Sequence, residues 1–281
     1  MNQMSQPPGD TTRAEQAEQA EQTDQNSYSN YSTDEMMTIA ASRVLADRSV
    51  CFVGIGLPSE AANLARETHA PECHLIYESG TIGAKPEVLP LSIGDGELAE
   101  HADSVVSVPE IFNYWLQAGR VDVGFLGAAQ IDRYANINTT VVGPYDSPRV
   151  RLPGAGGAPE IAASAKEVVV VLRQKSRAFV EELDFVTSVG YAEGGDSRDR
   201  LGYVGSGPKT VITDLGVLWP DPDTKELTLT ALHPGATVEQ AKEATGWGLK
   251  VAVDVARTDP PTEKELSVLR DLHTCTEAAR E

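Results

Sequence analysis

Glu78 ends the apolar part of the run His74-Leu75-Ile76-Tyr77-Glu78-Ser79-Gly80, and a carboxylate placed there has two uses. The residues before it have the apolar, aromatic character of a short strand, and Ser79-Gly80 lets the backbone turn tightly behind it. A strand-end acid either caps the backbone or acts as a base or nucleophile. Ligands of open α/β sheets gather at the carboxyl ends of strands, which favours the second use. Another stretch bears on the choice: Arg151-Leu152-Pro153-Gly154-Ala155-Gly156-Gly157-Ala158-Pro159-Glu160-Ile161-Ala162. Three glycines in four positions leave the amides of Gly154, Gly156, Gly157 and Ala158 unshielded, ahead of a proline suited to a first helical turn. Such a nest of N–H groups can hold a developing oxyanion. The alternative is an ordinary glycine-rich connection.

The elements that must carry these groups alternate. A helix is expected over residues 33 to about 47, opened by Thr33-Asp34-Glu35 with its acids at the positive end of the dipole. A buried strand over 50–53 feeds the glycine turn Gly54-Ile55-Gly56 and a helix over 58 to about 68, and the strand ending at Glu78 follows. Gly54 and Gly56 do not complete a dinucleotide fingerprint, because Ser59 stands where the third glycine belongs. Residues 81–103, rich in Gly and Pro, read as long loops of the kind that cover active sites. A helix over 109–118 is expected to bury Ile111, Phe112, Trp115 and Leu116, and a strand over 121–126 to run into small residues. Further strands are expected at 168–172, 210–213 and 216–218, the last pairing with 227–231, and helices from 237 and from about 262. This alternation predicts an α/β fold with a parallel, doubly wound sheet.

Composition narrows the function. With 23 basic against 42 acidic residues the chain carries a formal charge of −19, and it shows no Lys/Arg stripe, so nucleic-acid binding is not expected. No apolar stretch approaches the roughly 20 residues of a membrane span, and no basic-then-apolar leader opens the chain. Cys51, Cys73 and Cys275 have no metal-like spacing, which fits buried thiols in a reducing cytoplasm and no metal site. Residues 1–32 read as a polar, disordered tail, leaving 33–281 as one domain. His233, before Pro234-Gly235, is expected to be a satisfied surface histidine rather than a catalytic one.

Taken together the motifs resemble the β subunits of class I CoA-transferases over nearly everything after the tail. The resemblance is carried by Tyr77-Glu78-Ser79-Gly80, Leu126-Gly127-Ala128-Ala129-Gln130-Ile131-Asp132, Asn136-Ile137-Asn138-Thr139-Thr140 and the Arg151–Ala158 stretch. It implies an open, mostly parallel sheet with helices on both faces, and a partner α subunit with the active site between the chains. It also implies an acyl-CoA substrate, with coenzyme A part of that substrate and no other cofactor. In the transferases the glutamate at the position of Glu78 is the nucleophile. Beside the glycine nest, Ser79, Gly80, Gln130, Asn136 and Asn138 are then expected around the substrate. Within the family, Glu78–Pro86, Phe112–Gln117 and Gly157–Ala162 look most similar to the actinobacterial cholesterol ring-cleaving hydrolases, as does Ala135 in place of the usual glycine. The expectation is therefore hydrolytic opening of a steroid-derived cyclic β-oxo acyl-CoA in cholesterol catabolism, with Glu78 as the base or as a neighbour that orients a base on the α subunit. The glutaconate CoA-transferase β subunits are the next most similar, and CoA transfer of the glutaconate or 3-oxoacid type through a glutamyl thioester is the alternative.

Overall fold

The computed structural model describes residues 30–280. The chain opens with α1 (Thr33–Ser42), β1 (Val50–Val53), α2 (Leu57–Thr68), β2 (His74–Tyr77) and the short β3 (Thr81–Ile82). Then come α3 (Glu97–Glu100), β4 (Ser104–Val105) and α4 (Val108–Glu110), which continues as a π-helical turn, Ile111–Leu116. The middle holds β5 (Val123–Gly127), the hairpins β6 (Gln130–Ile131) with β7 (Ile137–Asn138) and β8 (Val141–Val142) with β9 (Val150–Arg151), α5 (Ala158–Ser164) and β10 (Glu167–Val171). The last third holds α6 (Ser197–Arg200), β11 (Pro208–Ile212), β12 (Gly216–Pro220), β13 (Leu227–Leu232), α7 (Val238–Glu243), β14 (Lys250–Arg257) and α8 (Glu263–Ala278).

Ten strands form one sheet in the order β14-β13-β12-β11-β10-β5-β1-β2-β3-β4. Its centre is parallel: Val50–Val53 lie beside His74–Tyr77, Cys51 beside Val123, and Glu167–Val171 beside Val123–Gly127. Side chains alternate between two cores. Cys51, Val53, Leu75, Tyr77, Phe125 and Val169 enter one with Met37 of α1 and Ala61 of α2. Phe52, Ile76, Leu126, Val168 and Val170 enter the other with Ile111, Leu116 and Ile161. Strands buried on both faces must be apolar throughout, which is why 168–171 reads Val-Val-Val-Val. The chain moves outward from β1 to β2 on one side and from β5 to β10 on the other. The order therefore reverses between β1 and β5, and the expected open sheet with helices on both faces is what the sequence builds.

Three local expectations change. Helix α1 stops at Ser42 rather than near 47, because Val44 and Leu45 donate to Ala41 and Ser42 in tight i→i+3 turns. Arg43 is also drawn away to the Glu265 carboxylate and the carbonyls of Asp259 and Pro260. The helix expected over 109–118 widens, with Gln117 N–H reaching Phe112 O and Arg120 N–H reaching Trp115 O. A turn closed at i→i+5 buries Ile111 and Leu116 together and leaves Phe112 and Trp115 only partly covered. Finally, His233 is buried at 2 % exposure, not at the surface, although it is satisfied by Thr258 Oγ1 and Thr213 O. Of the expected tail, residues 1–29 lie outside the described residues. Ser32 caps α1 through a capping box with Glu35, and Asn30 O accepts from Arg270, so 30–32 belong to the folded unit. Among the described residues no helix is long and apolar enough to cross a membrane.

Candidate active site

The crevice predicted by the reversal of strand order holds a cavity of about 510 Å³. Its walls are strand ends and the loops beyond them: Phe52 and Val53 at the end of β1 with Gly54 and Ile55 after it, Phe125 to Gly127 of β5, Glu78 after β2, and Leu152 to Ala158. Among the described residues lining it, Glu78 is the one ionisable side chain. The wall is otherwise apolar or bare backbone, with Thr139 as its hydroxyl. From the loops over 81–103, Ile93 reaches this lining.

Glu78 is half-buried, and among the described residues no cation pairs with it and no donor caps it. Gly157 lies against it. A Cβ built on Gly157 would fall 3.4 Å from the Glu78 carboxyl carbon and 2.8 Å from Phe112 Cζ. Carboxylate, aromatic edge and glycine backbone thus meet at one point, and only a residue without a side chain lets them do so. The π-helical turn supplies Phe112, whose ring also stands 6.0 Å from that of Phe52. Sequence reasoning placed Phe112 in the core. It stands beside Glu78 on the widened turn, for which the sequence carries no signal.

The glycine loop divides its amides. Gly154 N–H donates to Thr139 O, and Ala158 N–H to Ala155 O. Thr139 Oγ1 in turn donates to Gly154 O, so the segment just after β7 and the loop are tied together. Among the described residues no acceptor meets the Gly156 or Gly157 N–H. Of the four amides predicted for the nest, those two remain for a substrate oxygen, and all four residues line the cavity.

The other predicted pocket residues sit elsewhere. Gln130 donates to Asp184 and accepts from Asn138, whose own amide donates to Val141 O and whose oxygen receives the Thr140 N–H. Asn136 donates to Asp132 and Ala192 O and accepts from Gly190 and Ala192. Burial pushes the Asp132 carboxyl above its ordinary pKa despite the bonds from Asn136. None of Gln130, Asn136 and Asn138 lines the cavity: their polar atoms hold the β6–β7 hairpin to 184–192. Gly80, at φ 112, lets the chain pass Val106 O, which a Cβ would approach to 2.0 Å. Ser79 stands next to Glu78 with its buried hydroxyl unpartnered among the described residues. Cys51 and Cys73 are buried and Cys275 is exposed.

Comparison with known proteins matches this architecture to one family. The model of the coenzyme A transferase family matches residues 34–244. The chain is 63 % identical over 248 residues to the B-type subunit of the 3-oxoadipate CoA-transferase of Pseudomonas knackmussii, covering 88 % of this chain and 95 % of that one. It is 37 % identical over 238 residues to the B-type subunit of the glutaconate CoA-transferase of Acidaminococcus fermentans, covering 82 % and 89 %. The crystal structure of that organism's glutaconate CoA-transferase superposes with a TM-score of 0.80 at 33 % identity, over 86 % of this chain and 94 % of that one. The expected likeness to the cholesterol ring-cleaving hydrolases is corrected by the same comparison. The hydrolase chain from Rhodococcus jostii is 29 % identical over 229 residues, covering 77 % and 81 %, less than half the identity to the 3-oxoadipate transferase chain. The motifs that suggested the hydrolase (Glu78–Pro86, Phe112–Gln117 and Gly157–Ala162) contain the three residues that meet at the carboxylate in this chain, Glu78, Phe112 and Gly157, and do not separate the two branches. Ala135, at φ 57, sits in a turn outside the cavity lining and carries no weight for ring cleavage.

Proposed function

Because the chain belongs to the coenzyme A transferase family, we propose that it is the β subunit of a heteromeric CoA-transferase. It would move CoA between short carboxylic acids of the 3-oxoadipate type, with Glu78 as nucleophile. The observation that carries this reading is the meeting of an unpaired carboxylate with the bare backbone of Gly157 inside an apolar cavity. A carboxylate is a weak nucleophile in water and a stronger one where its hydration is stripped. Glu78 attacks the thioester carbonyl of the donor, and the tetrahedral intermediate expels CoA thiolate to leave an acyl–glutamyl anhydride. The thiolate returns to the glutamyl carbon and releases the first acid, giving a Glu78–CoA thioester. The acceptor carboxylate attacks that thioester and forms a second anhydride, from which CoA takes the new acyl group and frees Glu78. Each tetrahedral state places negative charge on oxygen, and the Gly156 and Gly157 N–H groups are the donors offered to it. Losing one such donor costs about 3–4 kcal/mol of transition-state stabilisation.

Coenzyme A enters as part of the substrate, and the cycle needs no other cofactor. The relatives named above are the B-type chains of their transferases, which supports an α-type partner closing the open side of the cavity. The test is co-expression with that partner and assay of CoA transfer from an acyl-CoA to 3-oxoadipate or to glutaconate. Ping-pong kinetics and trapping of the Glu78 thioester by hydroxylamine or borohydride are expected. Glu78→Ala should lower turnover by several orders of magnitude in a normally assembled heteromer. Wild-type turnover in that variant would overturn the assignment.

A further inference from the structure

Arg198, in α6, is 4 % exposed. Buried arginines ordinarily face a carboxylate, since an isolated charge is costly to desolvate. Here, among the described residues, none pairs with it. Its guanidinium donates instead to four carbonyls: Nη2 to Ala162 O at 2.7 Å, Nη1 to Gly190 O at 2.8 Å and Val189 O at 3.3 Å, and Nε to Gly205 O at 3.0 Å. The ring of Tyr203 lies 5.0 Å from its central carbon. Burial lowers its pKa from the ordinary value.

Ala162 belongs to α5, the helix that begins directly after Gly157. Its last turn has carbonyls without helical partners, carrying partial negative charge that a cation there satisfies. The neighbouring carbonyl, Ala163 O, receives the Gly205 N–H. Gly205 approaches so closely that a Cβ on it would fall 1.9 Å from Ala165 O. One end of α5 is therefore clamped by Arg198 and Gly205, and the other carries the backbone that touches Glu78. A short helix transmits displacement rigidly, and about 1 Å of misplacement at a reacting centre can cost about 100-fold in rate.

We propose that Arg198 is a positioning residue for the transfer reaction: by gripping Ala162 O it sets where α5 presents the Gly156–Gly157 amides over Glu78. The inference rests on the reading of Glu78 as nucleophile. The experiment compares Arg198→Lys and Arg198→Met with wild type as purified αβ heteromers, normalising rates to folded heteromer. Both variants should lose about 10- to 100-fold in kcat with KM for the acyl-CoA changed less than about threefold, Lys less affected than Met. Hydrogen exchange of the peptide spanning 152–158 should quicken in both. If Met prevents assembly, Lys decides alone, since it keeps the charge and the stem but not the four-carbonyl fork. A melting temperature lowered in Arg198→Lys with unchanged kcat and unchanged exchange at 152–158 would overturn the proposal and leave Arg198 a stabiliser of the fold. Absence of a trappable Glu78 thioester in the wild type would instead overturn the nucleophile, an outcome read before any variant is made.

Discussion

Gly157 has an ordinary backbone conformation, φ −83, so alanine there is unstrained in the main chain. What it lacks is room. An added methyl would stand 2.8 Å from Phe112 Cζ and 3.4 Å from the Glu78 carboxyl carbon. In Gly157→Ala, therefore, the Phe112 ring must yield and the added methyl fills the space between the carboxylate and the Gly157 backbone. The expected outcome is a fall in kcat of about 100-fold, comparable to losing an oxyanion donor, with the heteromer still assembled. Steady-state kinetics beside a melting curve check it. Gly156 makes a useful control: it adopts φ 49 and a Cβ there meets nothing within 4 Å, so its alanine variant suffers through backbone strain rather than collision.

At the scale of elements, the seating of α5 on the sheet depends on another glycine. Gly124, in β5, faces Ile161, whose Cγ2 would lie 2.4 Å from an added Cβ, with the Ala165 methyl at 3.2 Å. A side chain at 124 would lift the helix and with it the glycine loop. Gly124→Ala should destabilise by about 1–3 kcal/mol, the usual range for overpacking, and should also reduce kcat. The effect should couple to its neighbour: Gly124→Ala made on an Ile161→Ala background, where the obstructing methyl is gone, should cost less than on wild type. Urea denaturation of the four members of that cycle measures it, and strict additivity would show that the helix is seated by something else.

The molecule as a whole answers to pH through His233. It joins the end of β13 to Thr213 beyond β11 and to Thr258 beyond β14, so it links three segments far apart in sequence. Its Nε2 faces a carbonyl and must carry the proton, leaving Nδ1 to accept from the Thr258 hydroxyl. Burial lowers its pKa from 6.5 to about 4, so the folded chain keeps it neutral where the unfolded chain would protonate it. The stabilisation is complete above about pH 6.5 and is lost as pH falls toward 4, amounting at most to about 3 kcal/mol. Urea midpoints should drop between about pH 7.5 and about pH 5 by the equivalent of about 2 kcal/mol. His233→Gln should be weaker at the upper pH yet flatter over the same interval. An equal slope in both proteins would remove His233 from the account.

The sequence by itself determined the parallel core and the strand that ends at Glu78, because strands buried on two faces admit few residue types and Val50–Val53, Leu75–Tyr77 and 168–171 carry them without interruption. It also determined that Gly154, Gly156 and Gly157 offer backbone without side chains, and its motifs identified the family but not the branch, which they placed with the ring-cleaving hydrolases. Position in space was decided elsewhere. Gln130, Asn136 and Asn138 have the residue types of a binding site, yet the fold commits their polar atoms to one another and to 184–192, since a buried amide must be satisfied wherever it lies. Strand β14 alternates Val251, Val253 and Val255 in sequence, yet it is largely exposed with Val253 fully so, and it went unanticipated. Phe112 meets Gly157 beside Glu78 from a widened helical turn, and Arg198 finds Ala162 across 36 residues of chain. Local patterning fixes which backbone forms; which side chains meet across it is set by packing between distant segments, and the contacts that position Glu78 are of that second kind.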